Sequence, residues 1–259
     1  MESPREPVSQ LFPSRELRFF LTAPQPCPYL PGRLERKVFA HLPLNEGAAV
    51  NDALTLGGFR RSQNIAYRPA CPGCDACVSA RIPVDAHRLS RSERRILERN
   101  ADLTGMRVSP EAKSEQFELL RRYLDTRHAG GGMTGMTWPD YVAMVEDTAV
   151  RTHIVEYRQG AGGEKPGALT ACVLVDSLSD GFSLVYSFFD PDQPRRSLGS
   201  HIILDHVARA KAGGLAYVYL GYWVRGSEKM AYKARFNPLE ILRPEGWRAI
   251  TAEDRAQAG

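Results

Sequence analysis

Runs of β-branched and aromatic residues, separated by glycine- and serine-rich turn signals, fill the second half of the chain. Three such runs come first, over residues 152–157, 168–175 and 182–189. Strands of this kind are recognised by their composition and by the turns that bound them. A helix, a strand, a helix and a strand are then predicted over residues 198–212, 215–220, 227–235 and 239–242. This order predicts an α+β sandwich.

The first part of the chain differs from the second half in composition. Residues 1–110 are rich in proline and glycine and hold the cysteine cluster. Capping signals predict helices over residues 90–103 and 109–127, and the glycines of 128–136 predict a flexible linker. We therefore expect an N-terminal Cys-rich region, residues 1–110, and a second domain, residues 111–259.

Charge and hydropathy narrow the class of protein. The 259 residues carry 34 basic and 30 acidic side chains, so the net charge of +4 does not by itself indicate a polyanionic partner. Between Arg81 and Arg99, however, six arginines face three acids, which suits phosphate contacts or a solvated helix face. No run approaches 18 apolar residues, and Glu2, Arg5 and Glu6 have no apolar run behind them, so we expect neither a membrane span nor a signal peptide. We expect a cytoplasmic protein without disulfides, in which the cysteines are reduced, metal-bound or redox-active.

Three cysteines stand at two-residue spacing. They are Cys71, Cys74 and Cys77. This spacing aims successive thiolates at one centre, as in zinc and iron–sulfur sites, although a tight turn at Pro72-Gly73 would also explain it. With Cys27 as the fourth ligand, the set predicts zinc or an iron–sulfur cluster. Cys172 lies in a predicted strand and is expected to be buried.

Two polar motifs could bind or react with a substrate. Arg60 and Arg61 follow two glycines, so they suit either a carboxylate or phosphate contact or a plain surface turn. Asp190-Pro191 closes the third run of the second half, where it could act as a base or simply start a turn.

The start of the predicted long helix carries half of a phosphate-binding loop. Arg196 and Gly199 fit the Arg-x-x-Gly-x-Gly/Ala pattern that binds CoA, but His201 occupies the last small position. This allows an acyl carrier and argues against ordinary CoA, so no CoA is expected. Farther on, Lys229 and Lys233 follow an aromatic strand, which suits nucleotide stacking beside phosphate or a solvated lysine face.

Several short runs together resemble the arginyltransferase family of aminoacyl-tRNA–protein transferases. They are Gly58-Phe59-Arg60-Arg61-Ser62, Tyr67-Arg68-Pro69 with the cysteine run, Phe189-Asp190-Pro191, Leu220-Gly221-Tyr222-Trp223 and Lys229-Met230-Ala231-Tyr232-Lys233. The chain length and Cys27-Pro28-Tyr29-Leu30-Pro31 are similar to its bacterial, leucine-donating branch. The resemblance implies an enzyme that moves leucine from leucyl-tRNA to the α-amine of proteins beginning with Asp or Glu, marking them for proteolysis.

The resemblance also implies a fold, with a Cys-bearing N-terminal region followed by a GNAT-like (N-acetyltransferase-like) acyltransferase domain. The family's eukaryotic members pair Cys-x-x-Cys with a later Cys-Cys, whereas Leu30 stands here where the second cysteine would be. Three alternatives stay open: an arginyl donor, an N-acetyltransferase that uses acetyl-CoA, and a metal-stapled tRNA-binding module without catalysis.

These substrates suggest roles for eight residues. Asp190 is expected to hold or deprotonate the α-amine, and Tyr222 to donate a proton near the ester. The phosphates of the tRNA end are expected to meet Arg196, Lys229 and Lys233. The acidic side chain of the protein substrate needs a guanidinium fork, for which the candidates are Arg60, Arg61 and Arg68.

Overall fold

The computed structural model describes residues 17–127 and 134–256, so most of the glycine-rich linker lies outside the described residues. The strands are β1 Phe19–Leu21, β2 Gln25–Pro26, β3 Leu34–Glu35, β4 Lys37–His41, β5 Arg60–Ser62, β6 Ile65–Pro69, β7 Cys77–Pro83, β8 Leu103–Val108, β9 Thr152–Gln159, β10 Leu169–Ser177, β11 Gly181–Phe189, β12 Tyr217–Val224, β13 Glu240–Arg243 and β14 Gly246–Ala249. The α-helices are α1 Gly47–Leu56, α2 Arg91–Arg99, α3 Ser114–Arg127, α4 Trp138–Glu146, α5 Leu198–Ala212, α6 Glu228–Ala231 and α7 Ala252–Ala256.

A large sheet of eight strands organises the molecule. Its order is β14-β13-β7-β12-β11-β10-β9-β8, and a smaller sheet has the order β1-β4-β6-β5. All neighbours in the large sheet are antiparallel except β11 and β12, which are parallel and joined by way of α5. The mixed α/β fold expected from the sequence is confirmed. Strands β7 and β8 come from residues 1–110, so the expected boundary at residue 110 does not separate two sheets.

Helices cover both faces of the large sheet. Alternate residues of a strand point to opposite faces. Val173 and Val175 of β10 therefore pack in the core beneath α2 and α5, whereas Cys172 and Leu174 pack beneath α3 and α4. Cys172 is buried, as expected. No helix in the described part of the chain has the length and apolar character needed to cross a membrane.

Two helix limits differ from the sequence prediction. Helix α2 stops at Arg99 because the side-chain amide of Asn100 turns back to the carbonyl of Ile96 at 2.8 Å, and Leu103 then begins β8. Helix α3 begins at Ser114 rather than at the Ser109-Pro110 signal. The Gln116 side chain accepts the backbone N–H of Lys113 at 3.0 Å there, which satisfies a free donor at the helix start.

The parallel pair β11 and β12 opens partway along its length. The strands pair only over the first three residues of each, from Gly181 opposite Tyr217 to Ser183 opposite Tyr219. Beyond that point each strand carries a bulge, at Val185 in β11 and at Leu220 in β12. Bulges bend a strand and increase its twist. The two strands therefore diverge toward their carboxyl ends and leave an opening between them.

Candidate active site

Arg60 enters this opening from β5 and ties the two bulges together. Its Nη2 donates to the carbonyls of Leu184 and Val185 at 2.8 and 3.0 Å, and its Nη1 donates to the carbonyl of Leu220 at 3.2 Å. Residue 221 is glycine with φ of 73°, and a Cβ there would overlap the guanidinium of Arg60. The glycine is therefore required by the close approach of Arg60 as well as by the backbone conformation.

Lys233 contacts the same bulge in β12 as Arg60, and these two side chains are together called the floor of the opening. Its Nζ donates to the carbonyls of Leu220 and Tyr222 at 2.8 and 2.6 Å, and only 5% of the residue is exposed. These carbonyls lie beyond the last β11–β12 pair, so the lysine provides donors that a continuing strand would have provided. The sequence predicted Lys233 beside Lys229 on one helix face. Instead α6 ends at Ala231 and a 3₁₀ turn follows, which leaves Lys229 exposed and Lys233 buried.

The floor of the opening carries positive charge without a carboxylate. Among the described residues, neither Arg60 nor Lys233 forms an ion pair with an acidic side chain. Burial and the charge of Arg60 hold the pKa of Lys233 well below its usual range. Main-chain carbonyls accept hydrogen bonds from both side chains, but no carboxylate among the described residues compensates the charge of Arg60. The arrangement therefore suits a ligand that is negative or develops negative charge.

Four tyrosines from distant parts of the chain, Tyr29, Tyr123, Tyr186 and Tyr232, lie near one another. Tyr29 and Tyr232 also lie near Arg60, and the ring of Tyr232 lies 6.0 Å from Nζ of Lys233. Burial is the largest cause that raises the pKa of Tyr29 and of Tyr232 to about 12, and the neighbouring tyrosines raise it further. At neutral pH these hydroxyls are therefore protonated and can both donate and accept hydrogen bonds. Sequence reasoning did not single out these four side chains, because they share no spacing and meet only in the fold.

Arg61 follows Arg60 in the chain, but its side chain forms a buried ion pair outside the opening. Its Nε and Nη2 donate to the two carboxylate oxygens of Asp176 at 2.6 and 2.8 Å, and both side chains are 1% exposed. Its Nη1 donates to the carbonyl of Gln63 at 2.9 Å. The expectation that Arg61 reaches a substrate carboxylate is wrong in this structure, because the guanidinium is buried and already holds one.

Arg68 is the exposed member of the three candidate arginines. It lies over the ring of Phe59, with 5.2 Å from its Cζ to the ring centroid, and its Nη1 lies 3.5 Å from the carbonyl of Gly57. The three arginines therefore do not converge on one point. Arg60 lies in the opening, Arg61 is buried against Asp176, and Arg68 faces solvent.

Tyr222 joins the small sheet to the large one. Its hydroxyl lies 3.0 Å from the carbonyls of Gly58 and Tyr67, its ring centroid lies 6.0 Å from Cζ of Arg60, and it is 6% exposed. Burial raises its pKa far above the ordinary value. These two contacts hold the Tyr222 hydroxyl between the small sheet and the large one, and its role as a proton donor to the ester stays a prediction.

Asp190 lies at the carboxyl end of β11. It accepts hydrogen bonds from Arg122, from Nε2 of Gln193 at 2.7 Å and from the backbone of Asp192 at 3.2 Å. Six residues of strand separate it from Leu184, or about 20 Å. The structure does not bring Asp190 next to the Arg60–Lys233 floor.

Arg196 lies close to Asp190. Its guanidinium pairs with Asp102 and donates to Asn100 Oδ1 at 2.8 Å and to Gln193 Oε1 at 3.1 Å. These contacts fix Arg196 between α2 and α5, near the carboxyl end of β11.

The four N-terminal cysteines line one cavity of about 60 Å³. They share it with Tyr29 and Tyr222, so the cavity adjoins the opening. Arg33 Nη1 lies 3.3 Å from the sulfur of Cys74, and the backbone N–H of Arg36 donates to the sulfur of Cys71 at 3.4 Å. Burial first, and then the three other cysteines, raise the pKa of Cys77 to about 12. Within residues 17–127 and 134–256, no group of three or more His, Cys, Asp or Glu side chains is arranged to hold a metal ion.

Family models and curated relatives that match this chain all belong to one family of transferases. Residues 25–95 match the family described as arginine-tRNA-protein transferase, N terminus, and residues 115–243 match its C terminus. The aspartate/glutamate leucyltransferase of Caulobacter vibrioides (strain NA1000 / CB15N) is 70% identical over 248 residues, which cover 96% of this chain and 89% of the relative. The same enzyme of Phenylobacterium zucineum (strain HLK1) is 68% identical over 247 residues, covering 95% of this chain and 96% of that one.

Solved structures are only distantly similar. One is a GCN5-related glucosamine N-acetyltransferase region of a fungal multidomain β-N-acetylglucosaminidase. It is 10% identical, has a TM-score of 0.40, and covers 79% of this chain and 22% of that one. A likeness at this level carries no argument about the site.

Proposed function

The chain belongs to the arginine-tRNA-protein transferase family, and we propose that it moves leucine from leucyl-tRNA to the α-amine of proteins that begin with Asp or Glu. The observation that carries this proposal is 70% identity to an aspartate/glutamate leucyltransferase over nearly the whole of both chains. The proposal includes cytoplasmic location, marking of the product for degradation, and a GNAT-like acyltransferase domain.

The reaction needs one proton transfer and stabilisation of one oxyanion. The α-amine, in its neutral form, attacks the ester carbonyl, a C–N bond forms, and the carbonyl oxygen becomes negative. The C–O bond to the terminal ribose then breaks, and the ribose oxygen takes up the proton that the amine has lost. An activated ester requires no covalent enzyme intermediate, so the protein contributes position, charge and proton transfer.

Arg60 is proposed to stabilise the oxyanion. Its guanidinium remains charged at any physiological pH, and it is held in the opening by three carbonyls. Because no carboxylate among the described residues neutralises it, its field acts on a substrate placed between β11 and β12. Preorganised charge of this kind lowers the barrier without reorganisation during the reaction.

Lys233 is proposed to carry the proton. A neutral amine has two N–H bonds and one lone pair, and the two carbonyls of Leu220 and Tyr222 match the two N–H bonds. The lone pair then accepts the proton of the attacking nitrogen and passes it to the leaving ribose oxygen. A charged ammonium would have a third N–H, for which the described residues provide no acceptor.

Other predicted site residues keep proposed roles outside the reacting centre. Arg196 and exposed Lys229 are proposed to meet phosphates near the tRNA end, and Asp190 to hold the α-ammonium before it enters the opening. Arg68 is the proposed partner of the substrate's acidic side chain, because Arg60 and Arg61 are already engaged. Replacing Arg68 by Gln should raise KM for a peptide that begins with Asp by about tenfold, since one charged contact is lost, and leave kcat unchanged.

The cysteine cavity is proposed to bind zinc or an iron–sulfur cluster. Four thiols on one cavity are a suitable donor set for either, and they would have to move closer together around the ion. A bound metal would brace the loop that carries Tyr29 and the strand β6 that carries Tyr67. Metal analysis of protein purified without oxygen, with Cys74→Ser as the matched variant, tests this. The absence of both zinc and iron from the unsubstituted protein would contradict it.

One experiment separates the possible functions. The protein is incubated with leucyl-tRNA, arginyl-tRNA or acetyl-CoA, together with peptides that begin with Asp, Glu or Ala. We expect leucine to be transferred to the Asp and Glu peptides and not to the Ala peptide. Transfer from arginyl-tRNA or acetyl-CoA instead would identify an alternative donor, and binding of tRNA without any transfer would leave a non-catalytic module.

A further inference from the structure

Helix α2 presents a row of arginines that the proposed reaction does not use. Ile96 and Leu97 of this helix pack against the core of the large sheet. The opposite surface carries four exposed arginines, Arg91, Arg94, Arg95 and Arg99. At 100° per residue these four lie within an arc of about 140°. The helix is therefore amphipathic, with a cationic outer face.

The arginines of this face lack internal partners. Among the described residues, the side chains of Arg91, Arg94 and Arg95 form neither a hydrogen bond nor an ion pair, although Glu98 lies on the same helix face. Arg209 of α5, by contrast, pairs with Asp205 four residues earlier at 2.6 Å. The guanidiniums of Arg91, Arg94 and Arg95 are thus available to an external anion.

The positions of these four arginines also lower the stability of helix α2. Arg91 and Arg95 are like charges four residues apart, and so are Arg95 and Arg99, which is a repulsive arrangement. Arg91 and Arg94 lie in the first turn, where the helix dipole disfavours positive charge. A polyanion that binds the face would offset both costs.

The carboxyl end of α2 lies beside the edge of the large sheet at which the opening ends. The side chain of Arg99 donates to the carbonyl of Arg195, and the amide of Asn100 donates to the carbonyl of Arg196 at 2.9 Å. Both residues immediately precede α5 and lie near the carboxyl end of β11. A ligand that follows α2 therefore arrives beside the end of the opening.

We infer that the arginine face of α2 binds the phosphates of the tRNA acceptor stem, so that the aminoacylated end reaches the β11–β12 opening. This inference rests on the proposed function. From Arg91 to Arg99 the helix rises about 12 Å, over which one strand of a duplex presents roughly three or four phosphates. A row of guanidiniums without acidic partners matches such a row of charges.

The test measures tRNA binding as a function of salt. The variant R91Q/R94Q/R95Q keeps good helix formers and removes three charges. The matched control R107Q/R151Q/K165Q removes three exposed positive charges elsewhere, so both proteins have the same net charge. Fluorescence anisotropy with uncharged tRNA between 50 and 300 mM KCl gives the slope of log K against log salt for each.

We expect the α2 variant to bind tRNA 10- to 100-fold more weakly at 100 mM KCl. Its salt slope should be smaller by about 2 to 3, because each lost phosphate contact removes roughly 0.7 to 0.9. The control variant should stay within about threefold of the original protein. Equal losses in both variants would show that total charge, rather than this face, decides tRNA binding. No loss in the α2 variant would show that tRNA does not use this face. Either result would overturn the inference.

Two further measurements separate this inference from the proposed function. A short single-stranded RNA that ends in CCA should bind both variants equally, because it has no stem. In leucine transfer, the α2 variant should have a raised KM for leucyl-tRNA and an unchanged kcat. If no protein transferred leucine at all, the proposed function would fail while the tRNA-binding comparison still decided the role of α2.

Discussion

Arg60 and Arg61 are neighbours in β5, yet they enter two regions of opposite electrostatic character. Successive side chains of a strand point to opposite faces, so one reaches the opening between β11 and β12 and the other reaches Asp176 on β10. Arg61 is neutralised by a buried carboxylate at two contacts. Among the described residues, Arg60 and Lys233 donate hydrogen bonds only to main-chain carbonyls.

This difference separates a structural charge from a functional one. The Arg61–Asp176 pair joins the small sheet to the large sheet, and nothing in it remains for a ligand. In the floor formed by Arg60 and Lys233, main-chain carbonyls accept the hydrogen bonds, and no carboxylate among the described residues compensates the charge of Arg60. This is costly for the fold and useful for a reaction that develops negative charge. Substitutions in the first region should therefore change stability, and those in the second should change activity.

The largest expected effect is on stability, in the Arg61 region. Asp176→Asn leaves a buried guanidinium without its counter-charge, so the free energy of unfolding should fall by about 3–5 kcal/mol. Urea denaturation measures this change. The matched double variant R61M/D176L should recover part of the loss, because no buried charge is left unpaired. Leucine transfer per folded molecule should not change, and a large loss of it would break the comparison.

The next effect is on activity, in the Arg60 region. Lys233→Met removes the proposed proton carrier, so kcat should fall by about 10²–10³-fold, as is usual for general acid–base groups. The unfolding free energy should change by less than about 2 kcal/mol, since two lost hydrogen bonds are offset by the removal of a buried amine. Lys211→Met, an exposed lysine change in α5, is the control. Equal activity of both variants would refute the role of Lys233.

A smaller effect tests the packing of Arg60. Gly221→Ala places a methyl group where the guanidinium lies and strains a backbone with φ of 73°. It should cost about 1–3 kcal/mol of stability and reduce transfer, because Arg60 must leave the opening. Gly214→Ala is the control, since its φ is 66° but its Cβ would meet open space. If both variants lost activity equally, backbone strain alone would explain the result.

The smallest effect, taken for each unit of pH, is a pH dependence of stability. The pKa of Lys233 is lowered in the folded protein by burial and by Arg60, whereas the unfolded chain has the ordinary lysine value. Between these two pKa values the unfolded state binds more protons, so stability should rise with pH by at most about 1.4 kcal/mol per unit. Urea titrations at several pH values, with Lys233→Met as reference, measure the difference. A difference that is constant from neutral pH to pH 10 would contradict it.

Composition and turn signals predicted most strands and helices of the second half in their order along the chain, although they missed β14 and the end of α6 at Ala231. The sequence also drew attention to Arg60 and Lys233. The sequence could not show that both side chains are held by main-chain carbonyls in the opening, since the bulges at Val185 and Leu220 leave no pattern in the local sequence. Asp176 was not singled out, although it decides the role of Arg61. Long-range pairing, rather than propensity, determines which charged residue is buried and beside what.

The position of β7 has a consequence for the order of events during synthesis. This strand is made early, yet it lies between β12 and β13, which are among the last to leave the ribosome. Arg60 likewise waits for a carbonyl 160 residues farther along the chain. Because such long loops must close before the sheet is complete, folding should be slow and the opening should form late. A nascent chain released early would carry the cysteines and the arginine row but no reacting centre.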